Sequence, residues 1–369
     1  MHTSLHMLVN IFLVHNVASW QTSWRYLPPF SVYIASLCRM IRSTLLARTR
    51  HFCKYVAGEG RRHVMLINCV CLTLFFIKVT LFNYKCDYMS PANVPVNLSA
   101  IHLNQFLIEE ADLCHRHSNL SFIVYIHSSL GKVEKRQETR LTWASAGLYD
   151  SSVKMAVVFM VGQAKTKEEE IILREESQRY QDIVQGNYTD TYHMLSYKGL
   201  ASLSWVTKHC SHVPWTIHAD DDVLIDIFLL KKFLENNGTQ SSFFCYPWEN
   251  SPVRRYGKWC VRQNEYEEDI YPTYCAGGAW VVATSLAPRL LEAATRVPVL
   301  WVDDVYLTGI LSKNAEIPVS DSLKNSVRRN GIDKGDLGKT VIWFETRKPR
   351  TIWWYELLSF HSYVPTIDV

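Results

Sequence analysis

Short apolar runs alternate with segments of helical periodicity through most of the chain after residue 110. Residues 120–129 and 154–162 are rich in β-branched and aromatic side chains, which predicts buried strands. Residues 132–146 and 166–180 each follow one of these runs and are predicted to be helices. Further strands are predicted at 182–185 and 214–219, and further helices at 192–210 and 223–236. This alternation favours an α/β sheet with helices on its faces.

A different pattern precedes this region, because residues 64–82 are almost uniformly apolar. This length is about enough to cross the roughly 30 Å hydrocarbon layer of a membrane. Asn68 and Lys78 leave a buried core helix as the alternative, although Lys78 is near enough to the far end to reach the interface. We expect a cytosolic region at 1–63, a transmembrane signal-anchor at 64–82, a luminal stem at 83–110 and a luminal domain at 111–369.

The distribution of charge gives this apolar segment an orientation. The whole chain has a formal net charge of +4, but residues 1–83 hold nine Lys and Arg against one acidic residue, a net of +8. The remaining residues hold 30 basic and 34 acidic side chains, a net of −4. Basic residues before a span predict a cytosolic N-terminus, and hence a single-pass type II protein with a luminal body. The acidic body argues against nucleic acid as a partner.

Residues beyond the apolar segment carry features that are typical of luminal proteins. Four N-glycosylation sequons occur there, at Asn97, Asn119, Asn187 and Asn237. Six of the ten cysteines lie there too, an even number that could form up to three disulfide bonds in an oxidising compartment. Since neither C-x-x-C nor a paired Cys/His spacing is present, zinc bound by cysteines is the weaker use of these residues.

Three consecutive carboxylates, Asp220, Asp221 and Asp222, directly follow the predicted strand at 214–219. We call them the acidic triplet. Adjacent carboxylates repel one another, so a site that keeps them ionised usually supplies a cation. Alternation along an extended chain would place Asp220 and Asp222 on one side and Asp221 on the other. Such oxygen ligands at the end of a strand suit Mg²⁺ or Mn²⁺ holding a phosphate, whereas the alternative is a solvated turn in which Asp222 caps the next helix.

A second group, Asp303 and Asp304, is bounded by apolar residues rather than by the polar neighbours of a solvated loop. We call it the acidic pair. Half-buried carboxylates tend to have raised pKa values, which suits a general base, and capping of a helix at 305–312 is the alternative. Between the two acidic groups, Gly277 and Gly278 precede an apolar run at 279–283. They indicate either a backbone that another group approaches closely or a plain turn.

In order and spacing, the segments between Cys114 and Ile317 resemble the β-1,3-galactosyltransferase-like family of Golgi glycosyltransferases. Each matching motif is weak alone, but eight in order are specific. In the last motif, which reads Glu-Asp-Val-Tyr-x-Gly in the family, Asp303 replaces the Glu. The matching segments are Arg136-Gln-Glu-Thr-Arg140-Leu-Thr-Trp143, Glu176 with Asp182-Ile-Val-Gln185, Asp190-Thr-Tyr192 with Lys198, Trp205 with Cys210, the acidic triplet with Val223, Lys258-Trp-Cys-Val261, Tyr271-Pro-Thr-Tyr-Cys-Ala-Gly277 and Asp303-Asp-Val-Tyr-Leu-Thr-Gly309.

The resemblance implies a GT-A type nucleotide-sugar-binding fold, a Rossmann-like mixed sheet with flanking helices, behind the transmembrane helix. It implies an inverting hexosyltransferase of the Golgi membrane that uses a UDP-sugar and Mn²⁺ (or Mg²⁺). Galactose, GlcNAc or GalNAc would be transferred in β-1,3 linkage to a glycan acceptor on protein or lipid. Motif positions imply Asp222 and Asp220 as metal ligands, Asp220, Asp221, Arg140 and Lys198 in donor binding, Asp304 as the catalytic base, and Trp280, Gly277, Gly278 and Asp303 on the acceptor side.

The resemblance also suggests a Cys114–Cys210 disulfide bond. Some relatives place a metal-contacting histidine near the C-terminus, where this chain has His361, although an ordinary surface or core histidine is the favoured interpretation. Gly278-Ala-Trp280 replaces a commoner Gly-x-Gly-Tyr run, so the acceptor stays open. A catalytically silent luminal binding protein or chaperone on the same fold is the alternative. A glycoside hydrolase, which also needs two carboxylates, is the third hypothesis.

Overall fold

A computed structural model of this protein describes residues 105–117, 119–237, 240–344 and 349–363, together with Leu72. Apart from Leu72, the predicted signal-anchor lies outside these residues, as do the predicted cytosolic region and most of the predicted stem. Over the part of the chain that is described, no helix is both long and apolar enough to cross a membrane. The membrane topology stays a prediction.

Most strands of the described domain form one mixed sheet of eight. They are β1 (Phe106–Ile108), β2 (Phe122–His127), β3 (Met155–Gln163), β4 (Ile183–Thr189), β5 (Trp215–Asp220), β7 (Phe243–Trp248), β8 (Tyr274–Ala283) and β9 (Val319–Ser320). Their order is β1-β4-β3-β2-β5-β8-β7-β9. Strands β4, β3, β2 and β5 are parallel, and β8 is antiparallel to both β5 and β7. The predicted α/β sheet is confirmed.

A second, three-stranded sheet has the order β10-β11-β6, where β6 is Leu224–Ile225, β10 is Val327–Arg328 and β11 is Ile342–Trp343. Strand β6 corrects the prediction of a helix from residue 223. Leu224 and Ile225 are register partners of Trp343 and Ile342, which lie more than a hundred residues further along the chain. Because this pairing makes residues 224 and 225 a strand, the helix begins only after them. Local periodicity carries no information about so distant a partner, which is why the prediction was wrong.

The helices are α1 (Val133–Arg140), α2 (Lys167–Tyr180), α3 (Leu195–His209), α4 (Ile227–Asn237), α5 (Ala287–Ala294), α6 (Leu311–Asn314) and α7 (Arg350–Phe360). The first four helices lie close to where the pattern predicts them, and α5 and α7 were not predicted. The start of α2 is fixed by Thr166, whose side chain accepts a hydrogen bond from the Glu169 N–H, and by three acids in its first turn. All six residues of β2 are buried, as expected for a parallel strand that is covered on both faces.

The domain begins earlier than the predicted boundary at residue 111. Strand β1 falls within the predicted stem, but it pairs antiparallel with β4 and so belongs to the main sheet. A disulfide bond, Cys114–Cys210, joins the segment after β1 to the end of α3, which confirms the suggested pairing. A second one, Cys245–Cys275, joins β7 to β8, and Cys260 is disulfide-bonded as well.

Candidate active site

Strands β2 and β5 are parallel neighbours, so their carboxyl ends meet at one edge of the main sheet. His127, the last residue of β2, is the register partner of Asp220, the last residue of β5. Two residues earlier on the same face, Tyr125 pairs with His218, and His218 pairs across to Trp280 on β8. The acidic triplet thus begins at the end of a buried strand, as predicted. The aromatic and imidazole rings of Tyr125, His218 and Trp280 form a layer next to it, further back along the strands.

The three members of the acidic triplet have different surroundings. Asp221 is 2% exposed and accepts hydrogen bonds from Ser128 Oγ at 2.9 Å and from Lys132 Nζ at 2.8 Å. Asp222 is exposed and Asp220 is half-buried. Strand β5 ends at Asp220 and the next two residues form a turn, so the alternation predicted for an extended chain does not apply to them. Asp221 is engaged by protein groups, while the other two carboxylates are open to solvent.

The open carboxylates suit a divalent cation. The Asp220 side chain is 47% exposed. The hydration that it loses in the folded protein nevertheless raises its pKa well above the ordinary value. The charges of Asp303, Asp222 and Asp221 raise this pKa further, a repulsion that a bound cation would relieve. Asp220 and Asp222 therefore fit the oxygen donor set that Mg²⁺ and Mn²⁺ prefer.

Capping of the following helix falls to another residue. The Leu229 N–H donates to Asp226 Oδ1 at 3.0 Å, so Asp226 caps α4 and Asp222 does not. Asp226 also contacts His361 Nε2 at 2.8 Å. The favoured interpretation of His361 as a histidine satisfied within the fold is in line with this contact.

The acidic pair lies at the start of a π-helix, Val305–Ile310, which leads into α6. Asp304 Oδ1 accepts a hydrogen bond from the Val305 N–H at 2.8 Å, so this residue caps the helix. Burial raises the pKa of Asp304 to about 7, and the charge of Asp303 adds to this effect. Burial also raises the pKa of Asp303. A carboxylate with such a pKa is suited to accept a proton near neutral pH.

The π-helix accompanies a difference in motif length. The family motif has one residue between its Tyr and Gly, and this chain has Leu307 and Thr308. A π-turn is the usual way in which a helix takes up one extra residue, and such turns are frequent at functional sites. Thr308 Oγ1 donates to the Asp304 backbone carbonyl at 2.6 Å and accepts from the Cys275 N–H at 2.9 Å. Thr308 thereby ties the residue predicted as the base to β8.

Strand β8 packs against this helix through its glycines. A Cβ atom on Gly277 would lie 3.2 Å from Asp304 Oδ2, and one on Gly278 would lie 2.7 Å from the Phe344 ring. The predicted turn is wrong, because both glycines lie within β8. The alternative of a close approach is correct, and the groups that approach are side chains of this protein.

Two residues that were predicted to bind the donor are engaged in ion pairs. Arg140 donates two hydrogen bonds to Asp182, both at 2.8 Å, and one to Glu176 at 2.9 Å. Lys198 is buried and donates to the Ser128 carbonyl at 2.6 Å and to Asp190 at 2.7 Å. Arg140 therefore joins α1 to Asp182 and Glu176, Lys198 joins α3 to Ser128 and Asp190, and the roles of both in donor binding stay predictions.

Trp280 lies in the core rather than at a surface. It is 1% exposed, with its ring stacked on His218 at a centroid distance of 5.1 Å and edge-on to Phe243 at 5.2 Å. A ring so buried does not offer its face to a ligand in this structure, and the predicted place of Trp280 on the acceptor side stays a prediction. Of the residues predicted on the acceptor side, Gly277 and Asp303 lie beside Asp304, the residue predicted as the base.

Exposed aromatic residues lie near the acidic pair. Tyr192 is 46% exposed and Trp259 is 43% exposed, and Trp259 Nε1 donates to Tyr192 Oη at 2.9 Å. Lys258 Nζ lies 4.8 Å from the centre of the Tyr192 ring. Burial raises the pKa of Tyr192, and the nearby charges of Asp303, Asp304 and Asp220 raise it further. These aromatic faces therefore border the site.

Sequence reasoning missed several residues of this site, namely His127, His218, Ser128 and Lys132. His127 and Ser128 end the first predicted strand and Lys132 begins the next predicted helix, so their position at a strand end was the available signal. Nothing local marks His218 apart from its place two residues before the acidic triplet.

The sequons differ in their surroundings. Asn119 is exposed, whereas Asn187 is half-buried in β4, where its Oδ1 accepts a hydrogen bond from Gln163 Nε2 at 2.6 Å. Asn97 and the side chain of Asn237 lie outside the described residues. Among the four, Asn119 is the described site with a free surface for a glycan.

Comparison with known proteins gives a consistent result. A sequence model of the family described as galactosyltransferase matches residues 134–322. Human UDP-GalNAc:beta-1,3-N-acetylgalactosaminyltransferase 1 is 29% identical over 227 residues, which cover 59% of this chain and 68% of that protein. Human beta-1,3-galactosyltransferase 2 is 27% identical over 222 residues, which cover 58% of this chain and 52% of that protein.

Among solved structures, apo mouse xyloside xylosyltransferase 1 is similar with a TM-score of 0.34 and 14% identity, covering 62% of this chain and 98% of that one. The family match extends over half of the chain and includes both acidic groups, and it identifies a glycosyltransferase. The chain belongs to the galactosyltransferase family.

Proposed function

We propose that this chain has a GT-A type fold and transfers a hexose from a UDP-sugar, with inversion, to a hydroxyl group of a glycan. The observation that carries this proposal is the meeting of the acidic triplet and the acidic pair at one edge of the sheet. Repulsion by the charge of Asp303 raises the pKa of Asp220, so the two carboxylates are close together. The carboxylates suited to a cation and the carboxylate suited to a base therefore face one reaction volume.

Asp304 acts as the base in this proposal. Its raised pKa allows it to take the proton of the acceptor hydroxyl as that oxygen attacks the anomeric carbon of the donor sugar. The N–H of Val305 fixes one carboxylate oxygen, and Gly277 allows β8 to pack against the other. A single displacement of this kind gives a β linkage from an α-linked donor.

Asp220 and Asp222 would hold a divalent cation, Mn²⁺ or Mg²⁺, which would supply positive charge to neutralise the UDP leaving group. Asp221 takes no direct part and fixes the triplet through Ser128 and Lys132. The exposed rings of Tyr192 and Trp259 form an amphipathic rim for a glycan acceptor. The names of the two human relatives support galactose or GalNAc as the sugar and a β-1,3 linkage.

We place the protein in the Golgi membrane as a single-pass type II protein. The change in charge across residues 64–82, the sequons and the five disulfide-bonded cysteines of the body support a luminal, oxidising address. Protease protection of a C-terminal tag in sealed vesicles tests this orientation. Digestion of the tag in intact vesicles contradicts it.

The transfer proposal is tested by incubating the full-length chain with Mn²⁺ and UDP-galactose, UDP-GalNAc or UDP-GlcNAc across a panel of glycan acceptors. We expect UDP release with one donor and a β-1,3 product by NMR. Asp222→Asn removes turnover, and the matched control Asp321→Asn, which changes an exposed loop aspartate, does not. Binding of UDP without turnover on any acceptor contradicts the proposal in favour of a silent binding protein.

A further inference from the structure

Two cations border the rim that is formed by the exposed rings of Tyr192 and Trp259. Lys258 Nζ lies 4.8 Å from the centre of the Tyr192 ring and 5.1 Å from the centre of the Trp259 ring. The central guanidinium carbon of Arg254 lies 5.6 Å from the centre of the Trp259 ring. Both cations are exposed, and among the described residues neither has a carboxylate within ion-pair distance. The proposed chemistry of transfer assigns no role to either of them.

The next residue, Arg255, shows how a cation that holds this loop together is engaged. Arg255 donates three hydrogen bonds to backbone carbonyls of its own loop, at 2.9 to 3.2 Å, and lies 3.7 Å from Asp269 Oδ1. Arg254 and Lys258 have no such contacts and instead lie against the ring of Trp259. Like charges gathered on one ring repel each other, and an anionic ligand would relieve that repulsion.

The rim and its cations lie beside the acidic pair. Trp301, two residues before the start of the pair, has its ring centre 6.1 Å from that of Tyr192. Burial raises the pKa of Tyr274, the charge of Asp304 raises it further, and the charge of Arg254 lowers it. Arg254 and Asp304 are therefore both close to the Tyr274 hydroxyl. In the proposed reaction the acceptor hydroxyl lies at Asp304, so the rest of the acceptor extends over the rim.

We propose that the rim binds an acceptor glycan with an anionic group, a carboxylate or a sulfate, on the sugar next to the one that is glycosylated. This inference rests on the proposed transfer reaction and names the class of its acceptor. The exposed rings offer faces on which a sugar can stack, and Lys258 and Arg254 donate charged hydrogen bonds to the anionic group. Trp259 Nε1 donates to Tyr192 Oη at 2.9 Å, so the tyrosine hydroxyl keeps its own hydrogen for the glycan.

The other anion of the reaction is the diphosphate of the nucleotide-sugar, which belongs on the opposite side of the reacting carbon. In a displacement with inversion, the attacking oxygen and the leaving group lie on opposite faces of the sugar ring. Burial raises the pKa of Tyr192, and the charges of Asp303 and Asp304 contribute more to this rise than that of Asp220 does. The rim is thus nearer to the base than to the acidic triplet. Since the carboxylates of the acidic pair would repel an anionic acceptor, such an acceptor requires cations at the rim.

The test compares acceptors that differ only at carbon 6 of the second sugar. The terminal sugar, galactose or N-acetylglucosamine, is linked to glucose, to glucose 6-sulfate or to glucuronic acid, and kcat/KM is measured with the full-length chain. We expect an anionic acceptor to exceed its neutral counterpart by about tenfold, and this preference to fall as the ionic strength rises from about 0.05 M to about 0.5 M. Lys258→Gln and Arg254→Gln should each reduce the preference by about threefold, and the double variant should remove it.

Controls separate the charge of the rim from other effects. Lys258→Arg keeps the charge and should keep the preference, and Lys167→Gln, which removes an exposed lysine of α2, should leave it unchanged. A rise in the KM for the UDP-sugar in Lys258→Gln, with an unchanged acceptor preference, assigns this cation to the diphosphate and overturns the proposal. An equal loss of activity with neutral and anionic acceptors also overturns it, because the cations then only offset the carboxylates.

A binding measurement separates this proposal from that of transfer. Calorimetry of the full-length Asp304→Asn chain with UDP, Mn²⁺ and the same glycans should show tighter binding of an anionic glycan by about tenfold. Replacing Lys258 and Arg254 by Gln in that background should remove the difference, and thermal unfolding checks that each variant is folded. Preferential binding without transfer to any acceptor contradicts the transfer reaction and supports the anionic ligand. Transfer combined with equal binding of neutral and anionic glycans overturns the inference and leaves the transfer reaction in place.

Discussion

Lys132 Nζ lies 2.8 Å from Asp221 Oδ1 and forms the one direct ion pair of that buried carboxylate among the described residues. Ser128 Oγ holds the other carboxylate oxygen. The central member of the acidic triplet is thus fixed by the loop that follows β2, while its neighbours on both sides stay open to solvent. The conformation of the acidic triplet therefore depends on this loop as well as on β5.

Lys132→Met should leave Asp221 with a buried charge and a single hydroxyl partner. Because the Lys132 side chain is 52% exposed, we expect a loss at the lower end of charged hydrogen bonds, about 1.5 kcal/mol in the free energy of unfolding. Asp221→Asn should recover part of this loss in the Lys132→Met background. Chemical denaturation of the four chains of this cycle measures the coupling, and purely additive effects contradict it.

Asp304→Asn should abolish proton acceptance at the reacting hydroxyl and keep the helix cap, because the amide oxygen can still accept from the Val305 N–H. We expect kcat to fall by about 10² to 10⁴, with little change in Tm. Asp303→Glu, which restores the residue usual in the resembling family, serves as the control and should stay active. Retention of most activity by Asp304→Asn rules out Asp304 as the base.

The pH dependence of the reaction should follow the same carboxylate. Its folded-state pKa is raised to about 7, so the reactive, deprotonated form is lost as the pH falls through about 7. We expect kcat/KM to decline by about tenfold per pH unit well below that value, because one proton is gained per site. A profile that is flat from pH 5 to pH 8 is incompatible with this role.

Thr308→Val should destabilise the link between the π-helix and β8. The change keeps the shape of the side chain but removes the acceptor of the buried Cys275 N–H, which costs about 1 to 3 kcal/mol in the free energy of unfolding. Since Asp304 loses its tie to β8 as well, kcat should fall more than KM rises. Thr308→Ser keeps the hydroxyl and is the matched control, so an equal effect of both variants refutes a role for the hydrogen bonds.

Arg140→Met separates structural support from donor binding. Glu176 and Asp182 lose a shared guanidinium, although Arg136 still pairs with Glu176 at 2.6 Å. We expect a lower Tm and a loss of about 2 to 4 kcal/mol in the free energy of unfolding, with the KM for the nucleotide-sugar unchanged. A tenfold rise in that KM with unchanged stability instead supports direct contact with the donor.

Much of the fold follows from local pattern, and the exceptions have a common cause. Strands β2, β3 and β5 are short apolar runs that any parallel sheet would bury, and the turn chemistry around them is ordinary. Strand β6 and the delayed start of α4 depend on pairing with β11, which is distant in the sequence. Periodicity within a window cannot report a partner outside that window.

The same distinction applies to the site. The carboxylates of both acidic groups were found because runs of acids at strand ends or among apolar residues are visible locally. The histidines were missed because His127 and His218 become neighbours only through the pairing of β2 with β5. The burial of Trp280 likewise follows from its register opposite His218, which the sequence does not state.

Strand β8 touches each part of this arrangement. Cys275 meets the π-helix, Gly277 meets both Asp304 and His218, Gly278 meets Phe344, and Trp280 supports the ring layer. A substitution on this strand therefore alters several parts of the site at once. Efforts to re-engineer which acceptor is glycosylated would do better to vary the exposed aromatic rim, where one side chain can change while the framework beneath it is kept.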